Sequence, residues 1–178
     1  MGVEREKKEP RVKYFCAVLY SGGQELAPTK KALEARFGPV DFISKNYEFR
    51  GTDYYEQEMG QGLVRQIWGF ENLASPLELA QGKLDCIKIE TELSESDKRK
   101  VNLDIGYLDL FKVILASSKE RVNKTYLGSG IWADWVAHYE SGSWEAFSWA
   151  FPDFAGGQYN PDFEKLRLAF KLARRAAL

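Results

Sequence analysis

Histidine is almost missing from this sequence, with one in 178 residues, and cysteine is limited to Cys16 and Cys86. A lone His138 excludes histidine-rich metal centres and leaves little room for a hydrolase triad, and Ser129, in Gly128-Ser129-Gly130, is not in a GxSxG elbow. The two cysteines stand far apart in sequence, in apolar surroundings and without a CxxC pair, so they read as two reduced, buried thiols. No apolar run approaches the ~20 residues of a membrane span, and MGVEREKKEPR lacks the apolar segment of a secretory leader. The expectation is a cytoplasmic protein with no integral membrane association. Neither sign of charge is in surplus: 25 lysines and arginines face 26 acids, which leaves no global field to attract nucleic acid. Phosphate cradles are absent too. Gly22-Gly23 is followed by Pro28-Thr29-Lys30 with no glycine before the lysine, and no GxGxxG opens a helix after a strand.

What is present is concentrated. Val101 to Phe154 holds four of the five tryptophans and the histidine, with isolated charges set among apolar runs. The length suits one domain, which would bury roughly 70% of the surface its unfolded chain exposes. Residues 1–11 are charged or polar and end by Pro10, so they read as a loose tail ahead of a single α+β domain over 12–178.

The elements follow from pattern. Val12 to Tyr20, VKYFCAVLY, is a short apolar and aromatic run that suits a buried central strand. Pro28 in a first turn, Leu33 and Phe37 at i, i+4, and Gly38-Pro39 predict a helix. Val40 to Phe49 and Leu63 to Leu73 read as strands flanking a polar, aromatic loop over Arg50 to Gly62. Ser75-Pro76-Leu77-Glu78 opens a second helix running to about Leu93, with an inward stripe of Leu77, Ala80, Leu84 and Ile87. This order matches a split βαβ, or ferredoxin-like, layout. Beyond it, Val113 to Ala116 is a strand, Ile131 to Tyr139 and Trp144 to Trp149 form a hairpin, and Asn160-Pro161-Asp162 starts a last helix buried through Phe163, Leu166, Phe170 and Ala173. The fold class is α+β, with a mainly antiparallel sheet and helices packed largely on one face.

Three groups could carry chemistry. Asp53-Tyr54-Tyr55-Glu56-Gln57-Glu58 sets adjacent tyrosines beside carboxylates on a connection, either as a binding loop or as a cap over the core. In VNLDIGY, alternation puts Asn102 and Asp104 on one side of a strand; Asp104 could serve a metal or a proton, or cap a turn before Gly106. Lys112, inside LFKVIL, is either perturbed by its apolar neighbours or snorkels to water. Asp134 and His138, about 13 Å apart along a strand, are not a dyad. Acids at Asp53, Glu58, Asp104, Asp134 and Asp153 could assemble an oxygen site for Mg²⁺, and Arg65, Lys112, Lys119 and Lys124 could hold an anion.

With TDYYEQEMG, RKVNLDIGYLDLFKVILASSKE, TYLGSGIWAD and SWAFPDF in view, the chain resembles a bacterial family known as domain of unknown function 4416. The likeness spans nearly everything after the tail. That family pattern has proline where Ile105 stands, histidine-arginine near Asn123-Lys124, glutamate at Asp134 and TYPDY in place of AFPDF. The matching positions Asp53, Tyr54, Tyr55, Glu58, Asn102, Asp104, Tyr107, Lys119 and Asp153 are the candidate site. Asp53 and Asp104 are expected as ligand or base and Lys119 as charge stabiliser, around a small polar or phosphorylated ligand. The alternative is a non-catalytic interaction or self-associating protein, in which the aromatic run and the basic last helix form a partner or homo-oligomer surface.

Overall fold

The computed structural model describes residues 9–50 and 54–176. Its nine described strands form one antiparallel sheet in the order β2-β4-β1-β5-β6-β8-β7, with β3 on β4 and β9 on β8. β1 (Val12–Ser21) is central, and every residue from Val12 to Tyr20 is buried because both faces of the sheet are covered. β4 (Leu63–Ala74) and β5 (Val101–Leu108) flank it, and β2 (Val40–Ile43) pairs outside β4. The crossovers are α1 (Ala27–Phe37) and α3 (Leu79–Glu92), which gives the split βαβ arrangement expected.

The two crossover helices share one face, where Leu33, Leu79, Cys86 and Ile89 pack on Tyr14, Cys16, Val18, Leu103 and Ile105. The other face is backed by α5 (Asn160–Ala176), whose Phe163, Leu166 and Phe170 pack on Phe15, Ala17, Ile67 and Leu115. α5 lies close on β4: a Cβ at Gly69 would stand 2.4 Å from Leu166 Cδ2. The sheet continues through β6 (Lys112–Ser117), β7 (Lys124–Gly128), β8 (Ile131–Glu140) and β9 (Ser143–Ala146), and a short helix, α4 (Pro152–Ala155), leads into α5. Among the described residues no helix is long and apolar enough to cross a membrane.

Several local expectations need correction. The run from Val40 to Phe49 is broken, because after β2 the Ser44 hydroxyl accepts from the Ile67 N–H and pairing resumes only at β3 (Tyr47–Glu48). Residues read as loop contain a helical turn and a half, α2 (Tyr54–Met59). The predicted stripe of α3 is rotated: Leu77 is 83% exposed, and Leu79, Lys83, Cys86 and Glu90 point inward. Gly106 ends nothing. It lies within β5, where a Cβ would meet the Ile114 carbonyl oxygen at 2.4 Å, so glycine is what lets β6 approach. The second hairpin strand stops at Ala146, and β7 had no counterpart in the sequence reading. Of the predicted tail, residues 1–8 lie outside the described residues, while Glu9 accepts a hydrogen bond from Ser75.

Candidate functional site

β5 and β6 pair only over Gly106–Leu108, although β5 begins at Val101 and β6 runs on to Ser117. Where they part, the edge of β5 needs other partners, since an unpaired buried amide or carbonyl costs about as much as a lost hydrogen bond. α3 supplies them. The Leu103 N–H donates to Glu90 Oε1 at 2.6 Å, and its carbonyl accepts from Lys83 Nζ at 2.8 Å. That is why two charged residues occupy the inward stripe of the helix. Lys83 also reaches Asp104 Oδ1 at 3.1 Å and so joins the helix to the side chain next along the strand.

Asp104 is the centre of a larger network. Its Oδ2 accepts from Asn102 Nδ2 at 2.9 Å and lies 3.5 Å from Arg65 Nη2. Arg65, 3% exposed on β4, also donates to Asp153 of α4, and its guanidinium sits over the rings of Phe49 and Phe154. Tyr159 donates to the same Asp153 oxygen at 3.0 Å. On the other side Arg99 bonds Asn102 Oδ1 at 3.2 Å and forks onto Glu58 of α2 at 2.8 and 2.6 Å. Arg99 lies 3.5 Å from Glu90 and under the Tyr55 ring.

Burial pushes the Asp104 carboxyl up, but Lys83 and Arg65 more than offset it and hold it below the usual carboxylate range. It is an ionised acceptor. Arg99 holds Glu58 low, whereas burial raises Glu90. The Tyr55 hydroxyl is raised by burial and by Asp104, and that of Tyr159 by burial and Asp153, so both stay protonated as donors. Three cations, Arg65, Lys83 and Arg99, face four carboxylates, Glu58, Glu90, Asp104 and Asp153. Arg65 Nε is buried with no hydrogen-bond partner among the described residues. Such an orphan donor costs about 1–3 kcal/mol.

Across the parting, β6 and β7 carry a second network. Lys124 Nζ donates to Ser117 Oγ at 2.7 Å and lies 3.2 Å from Asp134, which also accepts from Asn123 at 3.0 Å. Lys124 sits over the Phe151 ring, two residues before Asp153, so the segment into α4 touches both networks.

The family model described as Domain of unknown function (DUF4416) matches residues 10–170. The chain belongs to this family. Comparison with curated proteins and with solved structures gives no match. The matched span contains both networks and every described candidate residue.

Of the family positions singled out in the sequence, Tyr55, Glu58, Asn102, Asp104 and Asp153 meet in the first network. Asp53 and the side chain of Tyr54 lie outside the described residues. Lys119 is exposed on the β6–β7 connection, where its backbone N–H donates to Ser117 Oγ at 3.1 Å. Tyr107 faces the opposite side of the sheet, packed near Tyr14. Lys112 snorkels to Asp109, and Asp134 bonds Lys124 rather than joining the other acids. Lys83, Glu90, Arg99, Tyr159 and Ser117 were not singled out. Only α3 gave a usable signal: Leu79, Lys83, Cys86 and Glu90 recur at i, i+4, i+7, i+11, so two charges fall on a buried face.

A separate cleft of about 680 Å³ lies between the start of β1 and α5, lined by Arg11, Leu73, Leu110, Phe111 and Phe170 among others. It contains no member of either network. Its own charged lining residues, Arg11, Glu71, Asp109 and Arg174 among them, belong to neither network.

Proposed function

We propose that this chain binds a small polar ligand where β5 and β6 part, over Asp104, between α2 and the Phe151–Asp153 segment. The observation that carries this reading is the gathering of Arg65, Lys83, Glu90, Asn102, Asp104 and Asp153 at one end of the sheet. Burying charge costs several kcal/mol per ion even when paired, and a gathering of perturbed ionisable groups marks a candidate site. Asp104 keeps 24% of its side-chain surface exposed, so the network is open to solvent at this residue.

The walls set the ligand class. Tyr55 and Lys83 donate, Asp104 and Asp153 accept, and the near balance of charge suits a molecule rich in hydroxyl or amide groups, such as a sugar or nucleoside. Lys119, exposed on the β6–β7 connection, is the cation for a phosphoryl group on such a molecule. Mg²⁺ has no place at Asp104, whose oxygens already face an ammonium and a guanidinium. Asp104 orients the ligand as an acceptor and does not take its proton.

The test is thermal shift of the whole chain against sugars, nucleosides, their phosphates and divalent metals. The expected result is stabilisation by one polar class, reduced in Tyr55→Phe. Silence across the panel overturns the reading. A rival has its own observation: Trp135, Trp149 and Phe151 are each more than 40% exposed, and Phe147 stacks on Trp149 at 4.6 Å, as on a partner-binding surface. A stable complex or dimer by light scattering, with no ligand response, favours that rival.

A further inference from the structure

The β8–β9 hairpin carries a side-chain cluster remote from Asp104 in the sheet. His138 stands directly opposite Glu145 in the register, and Glu140 lies two residues along β8, on the same face. The alternation of the strand and the pairing of the hairpin therefore bring one imidazole and two carboxylates together without any long loop. His138 Nε2 is 3.1 Å from Glu140 Oε2 and 3.9 Å from Glu145 Oε2, and the three donor atoms lie within 4.8 Å of one another. A tetrahedral metal with bonds of about 2.1 Å separates its ligands by about 3.4 Å, so small side-chain rotations close the set.

The ring is held in place. Phe147 packs on the imidazole at 4.9 Å, and Nδ1 is buried, so Nε2 alone faces the carboxylates. Lys112, the register partner of His138 across β6 and β8, turns its ammonium to Asp109. Among the described residues no lysine or arginine forms an ion pair with Glu140 or Glu145.

We propose that His138, Glu140 and Glu145 form a surface site for a divalent transition metal of the Zn²⁺ class. One imidazole nitrogen with two carboxylate oxygens is a borderline donor set that suits Zn²⁺, Co²⁺ or Ni²⁺ and gives Mg²⁺ and Ca²⁺ little reason to bind. Three protein ligands leave a fourth position open to water. No carboxylate or carbonyl backs Nδ1 among the described residues, so nothing strengthens the ring as a ligand, and the metal is an exchangeable one.

The experiment is calorimetric titration of the EDTA-treated full chain with ZnCl₂, repeated with MgCl₂ and followed by the visible spectrum with CoCl₂. One Zn²⁺ per chain is expected, weakened at least about tenfold in both His138→Ala and Glu145→Gln, with no Mg²⁺ heat and a cobalt spectrum that His138→Ala abolishes. Circular dichroism confirms that the variants fold, as expected for partly exposed side chains. Absence of Zn²⁺ binding, or Zn²⁺ binding unchanged in both variants, overturns the proposal. Ligand response at Asp104 is independent of either outcome.

Discussion

Lys83 and Asp104 meet at 3.1 Å through the parting of β5 and β6, the ammonium arriving from the helix side of the sheet and the carboxylate from the strand. The lysine replaces a neighbouring strand for the Leu103 carbonyl and at the same time fixes the ionisation of the acid. Backbone pairing and the ionisation of Asp104 are therefore coupled at this pair.

Removing the cation should be costly. Lys83→Met leaves Asp104 short of a partner and the Leu103 carbonyl unpaired, and breaking such a buried pair costs about 3 kcal/mol. Urea unfolding measures it. In an Asp104→Asn background the loss should be smaller by at least about 1 kcal/mol, and additivity would show that the two do not interact.

Stability should fall in acid in a way that Asp104 controls. The carboxyl of Asp104 is depressed in the folded chain below its unfolded value of about 3.9, so the stability it contributes is present above that pH. It is lost as pH falls through the folded value. Asp104→Asn should lower the urea midpoint at neutral pH and flatten its decline in acid. An unaltered slope contradicts the assignment.

Gly106→Ala tests the geometry that opens the site. Its Cβ would meet the Ile114 carbonyl oxygen at 2.4 Å and the Leu115 side chain at 2.8 Å. The strand pair must shift, at a cost of roughly 3 kcal/mol by overpacking, visible as a lower denaturant midpoint.

The cysteines should be silent. Cys16 and Cys86 are fully buried, and burial together with the adjacent Cys86 thiol raises Cys16 well above its usual range. Neither should react with a thiol reagent in the native chain, and both should react in urea. Fast native labelling would show that the β1–α3 packing opens.

The crossover half of the fold was legible because its signals are local. β1 is apolar or aromatic from Tyr14 to Tyr20, and α1 is bracketed by Pro28 and a Gly38 with φ of 90°. The alternation of Asn102 and Asp104 against Leu103 was legible for the same reason. Lys83 and Glu90 were missed because charge on a helix ordinarily marks the solvent face. Here it marks the inward one, since the helix completes a strand edge that pairing leaves open. Arg99 was missed in a charged run where only the distant Glu58 distinguishes it from its neighbours. Tyr107 was grouped with Asp104 by proximity in sequence, although the two-residue period of the strand sends it to the other face.

The most direct test of the ligand site is an amide chemical-shift map of the whole chain titrated with the strongest polar hit from the panel. The prediction is a contiguous set of shifted amides over Tyr55–Met59, Asn102–Asp104, Ser117–Lys124 and Asp153. Shifts confined to the Trp135–Trp149 surface, or to the cleft beside Phe111 and Phe170, would contradict it.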